Sequence, residues 1–430
     1  MILPSNGKVI IIDDQFKEVK PLIKALTQEG MPFLYFKDQG GDDLPDEPID
    51  DVRLVFLDLD HGLGGLGAIE NIRYVQNRLY KIIKPDTPYI LVIWSTHEDQ
   101  YKQTLVNEFE GVFNSYKPIA CCSLDKFTLL NGPVESVVST IRSELKRSLN
   151  DFEAFNAFLL WESIVTKSCG EIVNGFTKIF ELNNSWNDNL KAFFYRLALA
   201  NVGKEKLGTI GHPEKLRLAL LTITSALTDS IEKNTKVEIS KIQLNIEEKN
   251  ANITKEHLIS INTKLHLIES DFFEHFHPGN LYYRDFTDDK MLKDIVSSRF
   301  GNNVQEIIDS KPIIIQVDVT PSCDYAQDKG YSRLLTGIII NKSSYDEHKG
   351  KKDKNLKKKD YLYIDCPILN IYDNDYYLIF DFRHFKSMKQ ELVKTLYINN
   401  PKYRIRSQLL IDLQSSLSNH INRPGIISVI

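Results

Sequence analysis

The chain has 430 residues, of which 42% are hydrophobic and 26% charged, and its formal net charge is −5. That length implies two or three domains with cores of their own, and the near-neutral charge gives no global attraction to nucleic acid or to an anionic membrane. No apolar run approaches the roughly 20 residues that span a bilayer. The five cysteines, Cys121, Cys122, Cys169, Cys323 and Cys366, form no CxxC pair, and no cleavable signal pattern opens the chain. The expected setting is the reducing cytoplasm, without membrane association.

Residues 1–125 alternate strand and helix patterns. Lys8 to Ile12 is an apolar strand that ends in Asp13 and Asp14, and Phe16, Val19, Leu22, Ile23 and Leu26 follow on one helical face. A short strand is expected over Phe33 to Phe36. The next, Val52 to Leu57, stops at Asp58, and Gly62, Gly64, Gly65 and Gly67 come soon after it. A helix over Ala68 to Lys84, a strand over Tyr89 to Trp94 and a last segment, Gly111 to Tyr116, lead to Lys117 and Pro118. Five strands alternating with helices predict an α/β domain built on a doubly wound, five-stranded parallel sheet. In such a sheet the carboxyl ends of the strands carry the chemistry. Asp13, Asp14 and Asp58 all stand at such ends, and three adjacent carboxylates call for a hard cation, with Mg²⁺ the expected one.

This segment resembles the receiver domain of bacterial response regulators. The resemblance rests on the acidic pair Asp13 and Asp14, the strand-end Asp58, the hydroxyl of Ser95 or Thr96 after the fourth strand, and Lys117 followed by Pro118, in the family's order. Gly62 stands in place of the family's proline and Asn114 in place of its aromatic, so the domain is a divergent one. The resemblance implies that Asp58 accepts a phosphoryl group from a histidine kinase. It also implies that Asp13, Asp14 and Asp58 hold Mg²⁺ together with the backbone carbonyl of Asp60. Lys117 would pair with Asp58 or with a phosphoryl oxygen, and Ser95 or Thr96 would be drawn toward the added charge as the switch.

From residue 126 to about 255 helical signals dominate. Val137, Val138, Ile141 and Leu145 share a face, Phe152 to Phe180 is apolar at helical spacing, and Leu190 to Ala200 and Leu216 to Ile231 continue the pattern. Through this region two copies of the chain could pair as a homodimer. Lys233 to Ile253 reads as a long exposed helix or a linker. His266, His275 and His277, with Asp271 and Glu274, precede the turn at Pro278 and Gly279, but their spacing fits no strong metal template.

Residues 256–430 are expected to form a β-rich domain. Its strands are Lys311 to Val319, Leu334 to Asn341, Tyr361 to Ile364 and Tyr376 to Phe382, and a helix over Arg406 to Ile421 closes it. Cys323 beside Asp324 is the most site-like pair, with a buried structural thiol the plainer expectation and His348 or His384 the available partners for a nucleophilic one. Seven lysines between residues 349 and 359 suggest a loop able to touch nucleic-acid phosphates, although a solvated loop explains them as well. Arg383 and His384 with Tyr403, Arg404 and Arg406 suggest a basic pocket of the kind ribonucleases use.

The expected function is a response-regulator-like signalling protein in which phosphorylation of Asp58 controls a C-terminal output module. The layout is similar to signalling proteins of bacterial conflict and anti-phage defence. An effector nuclease using Cys323, Asp324 and the lysine loop, and a scaffold independent of phosphorylation, are the alternatives, so enzymatic activity stays open.

Overall fold

A computed structural model describes residues 8–38, 43–58, 68–95, 111–126, 133–150, 152–241, 252–283, 289–301, 304–327, 329–348, 361–363 and 366–422, with the single residues 109, 244 and 246. Packing divides the chain into two compact units. One comprises Met1–Leu190 with Leu221–Glu247, the other Lys191–Leu220 with Glu248–Ile430.

The first unit is built on a five-stranded parallel sheet. Its strands are β1 (Lys8–Ile12), β2 (Phe33–Phe36), β3 (Val52–Leu57), β4 (Ile90–Ser95) and β5 (Ala120–Asp125), in the order β2-β1-β3-β4-β5. Each connection between parallel neighbours must cross a face of the sheet, and the helices do so on both sides. Helix α1 (Phe16–Gln28) lays Val19, Leu22, Ala25 and Leu26 against Val9, Ile11, Leu54, Phe56, Val92 and Trp94, joined there by Val137, Val138 and Ile141 of α3 (Val134–Asn150). On the opposite face Val75, Leu79 and Ile82 of α2 (Ala68–Ile82) meet Ile10, Ile12, Val55, Leu57, Leu91 and Ile93. The period-2 alternation of the strands sends neighbouring residues to opposite cores, so the strands read as unbroken apolar runs. Each such aliphatic side chain contributes about 1.5–3 kcal/mol by leaving water.

The expected fifth strand is displaced. Gly111–Tyr116 forms a 3₁₀ helix, and β5 is the later Ala120–Asp125, whose Ala120, Cys122 and Leu124 point inward. Gly111–Tyr116 packs its aromatic residues beside the sheet edge instead, with Phe113 and Tyr116 on the α2 side of the core.

The middle helices are α3, α4 (Glu153–Thr177), α5 (Trp186–Thr209) and α6 (His212–Glu238). Gly203 at φ 78 interrupts α5, a conformation glycine reaches without steric cost. Within the second unit, Ala198, Val202, Leu207, Leu218 and Ala219 of α5 and α6 form a small core.

The second unit carries a mixed-length sheet of antiparallel strands. Helix α7 (Lys255–His266), opened by a reciprocal cap between Thr254 and His257, leads into β6 (Leu267–Glu269). Strand β7 (Asn280–Tyr283), helices α8 (Asp289–Phe300) and α9 (Val304–Asp309), β8 (Ile313–Asp318), the short α10 (Ser322–Ala326), β9 (Tyr331–Asn341) and α11 (Lys342–His348) follow. The chain then runs through β10 (Leu362–Tyr363), β11 (Leu369–Ile371), β12 (Asn374–Lys389), α12 (Gln390–Leu396), β13 (Tyr403–Ile405) and α13 (Ser407–Ile421). The sheet order is β10-β12-β9-β8-β7-β13-β6, with β11 on β12. Leu409, Leu410, Leu413 and Leu417 of α13 cover one face, and Leu292, Ile295, Val296 and Phe300 of α8 the other. Gly337 sits where β9 meets β12, and a Cβ there would lie 2.5 Å from the Ile379 carbonyl and 2.6 Å from the Phe380 ring. Among the described residues no helix is long and apolar enough to cross a membrane.

Candidate functional site

Strands β1 and β3 are hydrogen-bonded neighbours running the same way, so their carboxyl ends open on one edge of the sheet. Asp13 and Asp58 are the first residues beyond those ends, and both are fully buried. The Asp58 amide donates to the Ile12 carbonyl at 3.0 Å and the Asp13 amide to the Phe36 carbonyl at 3.2 Å, which extends the ladder to the site. Asp13 Oδ1 accepts the Gln15 amide at 2.7 Å and so turns the chain into α1, while its carbonyl accepts the Tyr35 hydroxyl at 2.9 Å. Asp14 lies alongside, and one carboxylate oxygen from each of Asp13, Asp14 and Asp58 falls within 4.8 Å of the others.

A lysine the sequence reading passed over completes the cluster. Lys126, only 1% exposed, follows directly on β5. Its Nζ lies 2.7 Å from Asp13 Oδ2, 2.7 Å from Asp58 Oδ2 and 3.0 Å from Glu18 Oε2 of the first turn of α1. Burial alone would lower the Lys126 pKa, but the adjacent Asp58 and Asp13 carboxylates outweigh it and hold the ammonium above its ordinary value. Burial pushes the Asp13 carboxyl up from its ordinary value, against the opposing pull of Lys126.

Lys117, expected in this role, is exposed and precedes β5, at the opposite end of that strand from the acids. The reason is the strand shift described above. Lys126 reaches this edge because it follows the carboxyl end of a parallel strand, whereas Lys117 precedes the amino end of the same strand. The local signal for Lys126 was the alternation of Ala120, Cys122 and Leu124 immediately before it, although Phe127, not proline, comes next. Ser95 ends β4 on the same edge as the acids, and its backbone pairs with Asp125. Thr96 and Asp60 lie outside the described residues, as does the Ser95 side chain.

Three carboxylates, from Asp13, Glu18 and Asp58, thus share one ammonium, and Asp14 stands beside them. Asp14 Oδ1 is buried and has no hydrogen-bond partner among the described residues. An excess of buried carboxylate oxygens with an orphaned lone pair suits a hard, oxygen-seeking divalent cation such as Mg²⁺, so the residues present fit the expected ion.

The other candidates are not gathered in this way. Cys323, expected buried, is exposed on α10, because that short helix lies on the surface of the unit. Its thiol donates to Asp324 Oδ1 at 3.8 Å, and Asp324 is held by Lys329 at 2.5 Å and Arg333 at 2.7 Å. Both cations draw the Asp324 carboxyl below its ordinary value, opposite to what a proton-accepting base near neutrality requires. The expected basic pocket is divided. Arg383 on β12 is bound to Asp381 and Ser298, whereas Arg404 on β13 donates to Asn280 Oδ1 at 2.8 Å, and three strands, β9, β8 and β7, separate the two. His275 approaches Asn400 and His277 the Pro278 carbonyl, so these rings are engaged locally and form no metal set among the described residues. The side chain of His348 and the lysines of residues 349–359 lie outside the described residues, and His384 stands on β12.

No protein-family model matches the chain and no curated protein matches it. Solved structures do. The signal receiver domain of a LuxO repressor protein from Vibrio parahaemolyticus is 14% identical, covers 34% of this chain and 95% of its own, and has a TM-score of 0.19. A response regulator receiver domain protein from Clostridium thermocellum is 13% identical over 33% of this chain and 95% of its own, with a TM-score of 0.18. Full-length FixJ from B. japonicum is 13% identical over 56% of this chain and 100% of its own, again with a TM-score of 0.18. The strand order β2-β1-β3-β4-β5, with helices on both faces, is the flavodoxin-like doubly wound order, and the first third of this chain has that topology.

Proposed function

We propose that the N-terminal unit is a response-regulator-like signalling switch that takes a phosphoryl group on Asp58. The observation that carries this reading is the convergence of Asp13, Asp14 and Asp58 on one sheet edge with the buried Lys126 bridging two of them. Phosphoryl transfer asks a protein mostly for positioning and for neutralisation of charge on the equatorial oxygens.

In the proposed step an Asp58 carboxylate oxygen attacks the phosphorus of a phosphohistidine on a partner kinase. The new O–P bond gives an acyl phosphate, and the P–N bond breaks with its electron pair going to the imidazole. Asp58 is fixed by its backbone bond to β1, so its carboxylate is presented at the sheet edge. Asp13 and Asp14, with Asp58, would hold Mg²⁺, which when bound offsets the negative charge gathering on the phosphoryl oxygens. Lys126 begins paired to Asp58, and its ammonium can turn to a phosphoryl oxygen while Asp13 and Glu18 keep hold of it. The added charge, about −1.5 to −2, then changes the edge where β4 and β5 end, and so the state of the output unit.

The test is incubation of the full chain with acetyl phosphate and Mg²⁺. The expected product is an adduct one phosphoryl group heavier, stable in acid and labile to hydroxylamine, absent in Asp58→Asn. An unmodified wild-type chain would leave the scaffold reading in its place.

A further inference from the structure

The C-terminal unit contains two adjoining cavities, of about 520 Å³ and about 390 Å³, whose walls share Tyr372 and Lys402. The larger is aromatic. Tyr282 and Tyr397 stack with ring centroids 4.9 Å apart, and Tyr283 and Tyr372 stand 5.5 Å apart. The Tyr283 hydroxyl is buried and has no hydrogen-bond partner among the described residues, an unfavourable state that a bound polar group would relieve. The smaller cavity is charged, lined by Lys264, Arg406, Glu269 and Asp373 beside the two shared residues.

Tyr372 is an unexpected residue at its position. Ile371 of β11 pairs with Asn374 of β12, which leaves Tyr372 and Asp373 as the whole hairpin loop, at φ 49 and φ 59. Two successive left-handed residues favour Asn and Gly, and a bulky side chain there is disfavoured. Burial does not offset this, since Tyr372 is 47% exposed. What the residue does is hold a ring at the junction of the two cavities. The ring lies 5.0 Å from that of Tyr403 and 5.6 Å from the Lys402 ammonium, and the Tyr372 amide donates to the Tyr403 hydroxyl at 3.1 Å.

We infer that the paired cavities bind a mononucleotide. The base lies among the tyrosines with Tyr372 as a stacking platform, and the Tyr283 hydroxyl meets a polar atom on its edge. A sugar diol is suited to the carboxylates of Glu269 and Asp373. The phosphate is suited to Lys402, now 3.6 Å from Glu269, and to Lys264 and Arg406. Each cavity is of the size that holds a small molecule, and an aromatic basin joined to one of mixed charge matches the two halves of a nucleotide better than an apolar ligand or a bare anion.

The experiment is titration calorimetry of the full chain with AMP, GMP, CMP and UMP, with adenosine and inorganic phosphate as separate arms. The expected result is saturable, one-to-one binding of at least one mononucleotide, weaker binding of a nucleoside and none of phosphate. Tyr372→Gly should lower the affinity about 5- to 150-fold, the range that one stacked base supplies. It should leave the melting temperature unchanged or raised, because glycine suits that turn. Lys402→Ala should weaken the mononucleotide and leave the nucleoside alone. Absence of saturable binding by all four nucleotides, undiminished binding in Tyr372→Gly, or phosphate binding as tight as a nucleotide's would overturn the proposal.

Discussion

Replacing Lys126 by methionine keeps an unbranched stem of similar length and removes the ammonium with its charge and its hydrogen-bond donors. In the native unit that ammonium is 2.7 Å from each of two carboxylates that are themselves fully buried. Removing one partner of a buried ion pair costs about 3–5 kcal/mol, because the charge left behind has neither water nor a counter-charge. Here two carboxylates are left, so the expected loss lies in the upper part of that range. The measurement is amide hydrogen exchange on the peptides covering Lys8–Ile12 and Val52–Leu57, which reports this unit alone and does not require the whole chain to unfold in one step. A loss of about 4–5 kcal/mol corresponds to a fall in protection of roughly 700- to 4,000-fold, at tenfold per 1.4 kcal/mol. Mg²⁺ should restore more protection in Lys126→Met than in the wild type, since the cation replaces the missing charge. Lys117→Met, at an exposed position, should stay within about 0.5 kcal/mol of the wild type. If Lys126→Met loses less than about 1 kcal/mol, or no more than Lys117→Met, the electrostatic account of the site is wrong.

In the C-terminal unit, Gly337→Ala should cost about 1–3 kcal/mol, as an added Cβ meets the Ile379 carbonyl and the Phe380 ring, and urea unfolding followed by circular dichroism would measure it. Burial and the nearby Arg404 guanidinium hold the His277 pKa below its ordinary 6.5. The neutral ring is therefore favoured in the folded unit, so its stabilising contribution is complete above pH 6.5 and is lost as pH falls through the lowered folded-state value. His277→Gln should flatten that part of the profile of melting temperature against pH. An unchanged slope would show that other groups set it.

The reading of Asp13, Asp14 and Asp58 needed nothing beyond local sequence. Each follows an apolar run, and an apolar run ending in a carboxylate is a buried strand that has reached the sheet edge. Two of those strands proved to be neighbours, which is what turned three separate acids into one cluster. The lysine was harder to place. Lys117 and Lys126 are both lysines near an apolar segment, and the choice between them depends on whether Gly111–Tyr116 or Ala120–Asp125 pairs with β4, a contact made across 25 residues or more of chain. The same limit hid the tyrosine cavity, since Tyr282, Tyr372 and Tyr397 come from segments about 90 and 25 residues apart. Nor does the spelling of residues 371–374 reveal a two-residue turn, because Tyr and Asp are not the residues such a turn prefers.

The order of residues alone therefore determined the parallel sheet, the helical middle, the β-rich C-terminal region and the acidic edge, all of which follow from periodicity and from where apolar runs stop. Only the tertiary structure decided which cation answers those acids and which aromatic rings share a wall. Both depend on pairing between distant strands, where the free energy lies in desolvation and contact that no short window of sequence contains.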